Sequence, residues 1–373
     1  MPRAVLVALI ALTCSPALAQ PPALHVAIRC DADDLRVGDE VPITFIVTNV
    51  GGASFDYGSS SSYRFGALNF DLKAFDELQR PVIDPQSIGF PAGGIAGSIL
   101  STPLVLGTGD SFEETLPLNE WASLRQPGQF TVRGTYRAAG ATFESEPVTV
   151  SIAPRSRSDM LRYVAALQDQ WTKATTKAER DLAVRRLAYT FDEGALPTLL
   201  DALHGDAGFA ASQGIVHHLP IMTQSVERIV RDFENRGLAP NGVFVLLGAG
   251  ALEAQIVRVI DRSLQDDRRS SWPTAAFGAT LYGDNRLMPR LIAIAETIGE
   301  PARIHAVQAI ANNRTDEGVA ALKRLLDDPD PELHLHIVEA IRAAYARPRA
   351  PESLFMRPRG RLLLDTDFPD LPR

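Results

Sequence analysis

The side chains able to do chemistry are few in this sequence, and their spacing limits what they can do. The run Val243-Phe244-Val245-Leu246-Leu247-Gly248-Ala249-Gly250-Ala251-Leu252-Glu253-Ala254 ends in G-x-G-x-x-A, the spacing with which a strand and a following helix cradle a pyrophosphate. A dinucleotide site also needs a second strand closing on an acid about 20 residues further on. Ser263 to Trp272 is polar and charged instead, so the small residues are expected to serve tight helix packing, and no cofactor is predicted. Metal chemistry fares no better. H-E-x-x-H is absent; His217 and His218 are adjacent and would point about 100° apart on a helix, and His334 and His336 would fall on different faces. His336 with Glu339, and Asp201 with His204, are three apart and share a face, but two ligands do not make a zinc site. All of these are expected to be surface polar groups. Among nucleophiles, Ala210-Ala211-Ser212-Gln213-Gly214 lacks the first glycine of a nucleophile elbow and sits in a helical pattern, and no P-loop is present. The expected catalytic, cofactor-binding and metal-binding residues are therefore none.

Recognition chemistry has a better candidate. From Gly51 to Gly66 the chain interleaves Phe55, Tyr57, Tyr63 and Phe65 with small polar residues and Arg64. Aromatic side chains on adaptable polar loops give large contact area at low entropic cost. The same aromatics could instead plug one end of a β fold, and both readings stand. A second long loop, Phe90–Gly109, is rich in Gly and Ser with apolar inserts.

The elements that would carry these residues change period near residue 154. Leu24–Arg29, Val41–Thr48, Phe70–Phe75, Ser111–Leu116, Gly128–Arg137 and Phe143–Ile152 read as strands, separated by turn residues such as Val37-Gly38-Asp39 and Gln126-Pro127-Gly128. Val41, Ile43, Phe45 and Val47 form one face of the second strand; Phe130, Val132 and Tyr136 form one face of the fifth, with Gly134 between them. Short strands at this density predict an antiparallel sandwich. Val37-Gly38-Asp39-Glu40-Val41-Pro42-Ile43, then Val47-Thr48-Asn49, resembles the Ig-like sandwich modules of bacterial exported proteins. So does Leu116-Pro117-Leu118-Asn119-Glu120-Trp121 with Gln126-Pro127-Gly128-Gln129-Phe130-Thr131-Val132, where Phe130 takes the aromatic place of a Pro-Gly-x-Tyr strand pattern. The resemblance implies a fold and is almost silent on function.

From Ser156 onward the period is helical, as in Ala183, Val184, Leu187 and Ala188, or Leu287, Leu291, Ile292, Ala295 and Ile298, or Ile304, Val307, Ile310 and Ala311. The chain is also self-similar. Ala183 to Ala188 leads to Asp192-Glu193-Gly194 and Leu199-Leu200, as Ala306 to Ala311 leads to Asp316-Glu317-Gly318 and Leu325-Leu326. The two glycines are 124 residues apart, four units of 31, and Asp284 falls about one unit before Asp316. In the last unit Asp316 is the expected N-cap, Val319–Leu326 the first helix and Leu333–Tyr345 the second, with Pro331 placed at its start. This pattern resembles HEAT-like repeats of the short type known from phycobilisome lyases, over about residues 157–346. The resemblance implies a stacked scaffold without fixed catalytic residues.

Met1-Pro2-Arg3, the run Ala4 to Leu12 and the site Ala17-Leu18-Ala19 make the three parts of a secretory signal peptide. The run is about half of the roughly 20 apolar residues that a membrane span needs. Cys14 raises lipoprotein processing, but Ala11-Leu12-Thr13 lacks the leucine and the small residue that such processing prefers, so soluble export to the periplasm or beyond is predicted. Cleavage leaves Cys30 as the single thiol, in a strand-like and acidic stretch where a small buried core residue is expected. The predicted fold class is multidomain β + α. It comprises a signal peptide (1–19), an Ig-like β-sandwich (20–153), an α-solenoid of HEAT-like repeats (154–346) and a loose tail (347–373), where Leu362-Leu363-Leu364 is the cluster able to dock as a cap.

The 373 residues carry a net charge of −8, which argues against a nucleic-acid partner. That charge belongs to the β part: residues 20–153 hold 8 basic and 16 acidic side chains, against 28 and 29 in residues 154–373. Both halves are interaction architectures. The sequence therefore predicts a non-catalytic binding or scaffold protein that presents sandwich loops and a helical-repeat surface to a protein partner or, alternatively, a glycan. Two other readings stay open. One is a secreted hydrolase with its site at the domain junction, where acids and histidines of residues 201–218 would converge with loop 31–40 or 51–66. The other is an inhibitor or accessory module of a secreted enzyme.

Overall fold

The structure, a computed structural model, describes residues 23–58, 69–87, 103–219, 223–267, 269–282, 284–313 and 315–346. Its N-terminal half is β. In β1 (Leu24–Arg29) and β2 (Pro42–Asn49), Val26, Ile28, Ile43, Phe45 and Val47 turn to one side and are buried, as their alternation requires. There follow β3 (Phe55–Gly58), β4 (Phe70–Phe75), β5 (Pro103–Leu106), β6 (Ser111–Pro117), β7 (Gly128–Ala138), β8 (Ala141–Glu144) and β9 (Val148–Ile152). They form antiparallel sheets: β1-β2-β6, the pair β3-β5, and β4-β7-β8 with β9 also on β7. The first and last share one core, in which the Phe70 ring lies edge-on to Phe45 at 4.9 Å and 5.0 Å from Tyr136. Gly134 lets these sheets approach closely: its missing Cβ would lie 2.6 Å from Ile28 and 2.7 Å from Phe45.

Two strand readings need correction. The single strand expected over Phe143–Ile152 is two, because Ser145-Glu146-Pro147 opposes only Arg133 and Gly134 on β7 and bulges. Ser145 secures the bulge, its hydroxyl accepting from the Gly134 N–H at 2.9 Å and its own N–H donating to the Gly134 carbonyl. The loops after Asn49 and before Gly109 also carry β3 and β5, too short to leave a periodic signal. The Asn49 amide donates to the carbonyls of Ala53 and Leu106 and so anchors that pair at the end of β2.

The C-terminal half is helical: α1 (Arg157–Lys173), α2 (Lys177–Tyr189), α3 (Leu196–Leu203), α4 (Gly208–Gln213), a π-helical turn Gly214–His218, α5 (Thr223–Arg236), α6 (Gly242–Gly248), α7 (Glu253–Leu264), α8 (Trp272–Leu281), α9 (Met288–Glu296), α10 (Arg303–Asn313), α11 (Asp316–Leu325) and α12 (Pro331–Ala346). Local chemistry sets several starts. The Ser156 hydroxyl caps α1, and Thr176 with Glu179 closes a reciprocal capping box on α2. Asp192 accepts from the Gly194 N–H and Asp284 from the Arg286 N–H, each at 2.8 Å, and each opens a short 3-10 turn into a helix with proline in its first turn. Asp316 does not play this part: Thr315, one residue earlier, is the N-cap and accepts from Gly318 at 3.0 Å. Each helix packs on those one or two places away in the chain, and one hydrophobic core runs from Met160 and Val164 in α1 to Ile337 and Ile341 in α12. The glycine-rich run spans the end of α6, a turn and the start of α7: Gly248 packs tightly, its missing Cβ lying 2.6 Å from Val216, whereas Gly250 takes φ +76° in the turn with nothing within 4 Å of it.

Candidate functional site

The two halves meet through residues that the sequence scatters over 180 positions, from loop 31–40 to His218. The Val37 N–H donates to the Ala153 carbonyl, which sets loop 31–40 against the first helices. Gly38 has φ +93° and lies where a Cβ would press on Met160 and Thr190, so only glycine fits there. The Asp39 carboxylate accepts from Arg155 at 2.5 Å and from the Arg36 N–H at 2.8 Å, and Glu40 accepts from Arg186 at 3.0 Å. The Arg155 guanidinium in turn covers the Tyr163 ring at 4.1 Å. Burial, with the Asp39 charge, pushes the Tyr163 phenol up to about 12.

Deeper in the same junction the Tyr189 hydroxyl donates to Glu120 at 2.6 Å. The His218 ring stands edge-on to Tyr189 at 5.0 Å, and His217 Nδ1 lies 3.3 Å from the Pro85 carbonyl. Phe191, held at φ +51°, takes the Arg125 guanidinium on its face at 4.9 Å and packs against His218. A phenol, a carboxylate and an imidazole in sequence are the parts of proton-transfer machinery. Here they are closed to substrate: Glu120 is 5% exposed, Tyr189 1% and His218 2%. Burial, with the Glu120 charge, raises the Tyr189 phenol well above its ordinary value, and burial pushes His218 down to about 3, so neither ionises at neutral pH. The cluster is an interlock between the halves. Replacing Tyr189 by Phe is expected to cost about 2 kcal/mol, the range for a hydrogen bond to a charged group, read as a lower urea midpoint. A double-mutant cycle with Glu120→Ala checks it, and a coupling energy near zero would show that the Tyr189–Glu120 bond does not fasten the two halves.

Beside the interlock lies an open cleft of about 740 Å³ between the turn 76–83 and the segment 123–130. Asp76 shapes the turn, accepting from the N–H groups of Leu78 and Arg80 at 2.9 Å, and the Ser123 N–H donates to the Ile83 carbonyl. The result exposes two large apolar side chains, Leu78 at 71% and Ile83 at 58%, facing a segment that carries Arg125 and the buried Phe130. Of these residues only segment 126–130 stands out in the sequence, as a turn and strand start and not as a recognition surface. The signal available was the Asp76-Glu77-Leu78-Gln79-Arg80-Pro81 turn beside isolated apolar residues.

Phe55 is half-buried in β3 opposite Leu106, Tyr57 lies on β3 opposite Leu104, and Tyr63, Arg64 and Phe65 lie outside the described residues. β2 starts at the junction, where the Leu118 N–H meets the Val41 carbonyl, and ends at Asn49, so the described start of loop 51–66 lies at the far end of the β half. His217 meets Pro85, His218 packs on Tyr189 and Phe191, whose other partners are Glu120 and Arg125, and both histidines are buried, not surface groups. The apolar neighbours Ile215, Val216 and Leu219 carried that signal. Cys30 is half-buried just past β1, at the rim of the core rather than inside it, and burial pushes its thiol up. The His204 ring bonds to Asp232 at 3.1 Å while the Asp201 carboxylate pairs with Arg236, and His336 and Glu339 do meet, at 3.5 Å. Among the described residues no group of three or more metal-ligating side chains converges. No described helix is long and apolar enough to cross a membrane. No protein-family model matches this chain, and no curated protein matches it.

Proposed function

We propose that this chain is an exported, non-catalytic binding or scaffold protein, an Ig-like sandwich followed by a HEAT-like solenoid, that holds a protein partner in the cleft beside its domain junction. The observation that carries the reading is the pairing of a closed polar interlock with an open apolar cleft: Glu120, Tyr189 and His218 are sealed, while Leu78 and Ile83 stand exposed in the wall alongside. Concave sites are favoured for recognition, and exposed apolar side chains rimmed by charge favour protein partners. Two sheets sharing one core support the sandwich. Helices that pack on near neighbours around one continuous core support the solenoid. Export rests on the three-part pattern of residues 1–19.

The test is site-specific photocrosslinking in the expressing cell. Benzoylphenylalanine at Leu78 or Ile83 is expected to give a discrete adduct, and at Val50, exposed at the far end of the β half, none. Equal, diffuse background at all three positions would sink the reading.

A further inference from the structure

The helical half carries a second feature, which does not depend on the cleft. α3 and α5 run side by side and leave a shallow groove of about 340 Å³ with an apolar floor of Pro197 and Leu200. One face of α5 supplies Arg228, Arg231 and Asn235, at the i, i+3 and i+7 positions that stack along a helix. Two acids also line the groove, and both are already engaged. Asp201 accepts from Arg236 at 2.6 Å; Asp232 accepts from Arg236 at 3.4 Å and meets His204 at 3.1 Å. Arg228 and Arg231 have no carboxylate within 4.0 Å among the described residues, although the chain as a whole is acidic.

From this arrangement we propose that the α3–α5 groove is an anion site for a phosphate monoester, gripped by Arg228 and Arg231 with the Asn235 amide as a further donor. Two neighbouring guanidinium forks offer more donors than one carboxylate can use, and a dianion with three terminal oxygens satisfies both at once. The engaged acids matter as much as the free bases. Arg236 pairs with both Asp201 and Asp232, so three guanidinium groups meet two carboxylates and the groove keeps a net positive charge on its Arg228 and Arg231 side. Such a monoester occurs free in solution or as the headgroup of phosphatidic acid, and the chemistry of recognition is the same.

The experiment titrates the purified protein with glycerol 3-phosphate at ionic strength held constant with chloride, by calorimetry and by the Nε–Hε resonances of its arginines. Saturable binding is expected, weakened at least about tenfold in the double variant Arg228→Gln/Arg231→Gln and unchanged in Arg290→Gln, an exposed arginine of α9. A parallel arm uses phosphatidylcholine vesicles with and without phosphatidic acid. Loss of response in the double variant in either arm supports the site and names the source. No binding to the native protein in either arm, or binding that the double variant retains, overturns it. Both side chains are exposed, and far-UV circular dichroism confirms that the variants fold.

Discussion

Gly134→Val is expected to destabilise the protein by about 3 kcal/mol or more, enough to leave the β half unfolded at modest urea concentrations. The cause is geometric. A Cβ at this position would lie 2.6 Å from Ile28, 2.7 Å from the Phe45 ring and 2.9 Å from its tip, and these are packed core side chains on the facing sheet. They have nowhere to move: Phe45 is fully buried and holds Phe70 edge-on, and Phe70 in turn packs on Tyr136. Valine adds two methyl groups beyond that Cβ. The substitution also disturbs the bulge, since Gly134 exchanges two hydrogen bonds with Ser145. Gly52→Ala is the control, because nothing lies within 4 Å of its site, and it is expected to stay within about 0.5 kcal/mol of the native protein. Urea unfolding followed by tryptophan fluorescence reads both, as Trp121 is 3% exposed in the same core. A Gly134→Val midpoint within error of the control would show that the sheets do not meet as described.

The second large effect is acid sensitivity centred on His218. Burial holds this imidazole neutral down to about pH 3, whereas the unfolded chain protonates it near pH 6.5. Below about pH 6.5 the unfolded state therefore binds a proton that the folded state refuses, and stability falls as pH falls, by about 1.4 kcal/mol per unit. From pH 6.5 to 4.5 the expected loss is about 2–3 kcal/mol. Carboxylates held below their ordinary values, such as Glu179 at about 2 by the backbone N–H groups of Thr176 and Thr175, act in a lower window and leave this one clear. Unfolding midpoints measured from pH 7 to 4.5 should fall steeply for the native protein and stay nearly level for His218→Phe. Parallel curves for the two proteins would place the acid sensitivity elsewhere.

Much of the fold was legible where periodicity is long. β1, β4 and the helices flanking Ala183–Ala188 and Ala306–Ala311 stand where the alternation of Val26 and Ile28, or the spacing of Val307 and Ile310, puts them. Periodicity fails for β3 and β5, which are four residues each, and it cannot show the bulge that divides β8 from β9. Capping carries a similar limit. Thr315 and Asp316 are both good N-cap residues, and only the hydrogen bond to Gly318 separates them. The interlock was out of reach for another reason. Glu120 and Tyr189 are 69 residues apart, and nothing local to either signals the other. Gly134 was visible as a gap in an aromatic face, but its meaning lies in Ile28 and Phe45, which come from another sheet.

The core that runs unbroken from α1 to α12 has a kinetic consequence. One end of that stack is fastened to the β half by Tyr189, Arg155 and Arg186, while at the other α12 leaves Leu335 55% exposed. Among the described residues, opening the last pair of helices breaks one interface, but opening the first pair breaks an interface and the fastening as well. Amide protection against hydrogen exchange should thus decline from α2 towards α12, and the molecule should breathe from its C-terminal end, like a zip closed at the bottom.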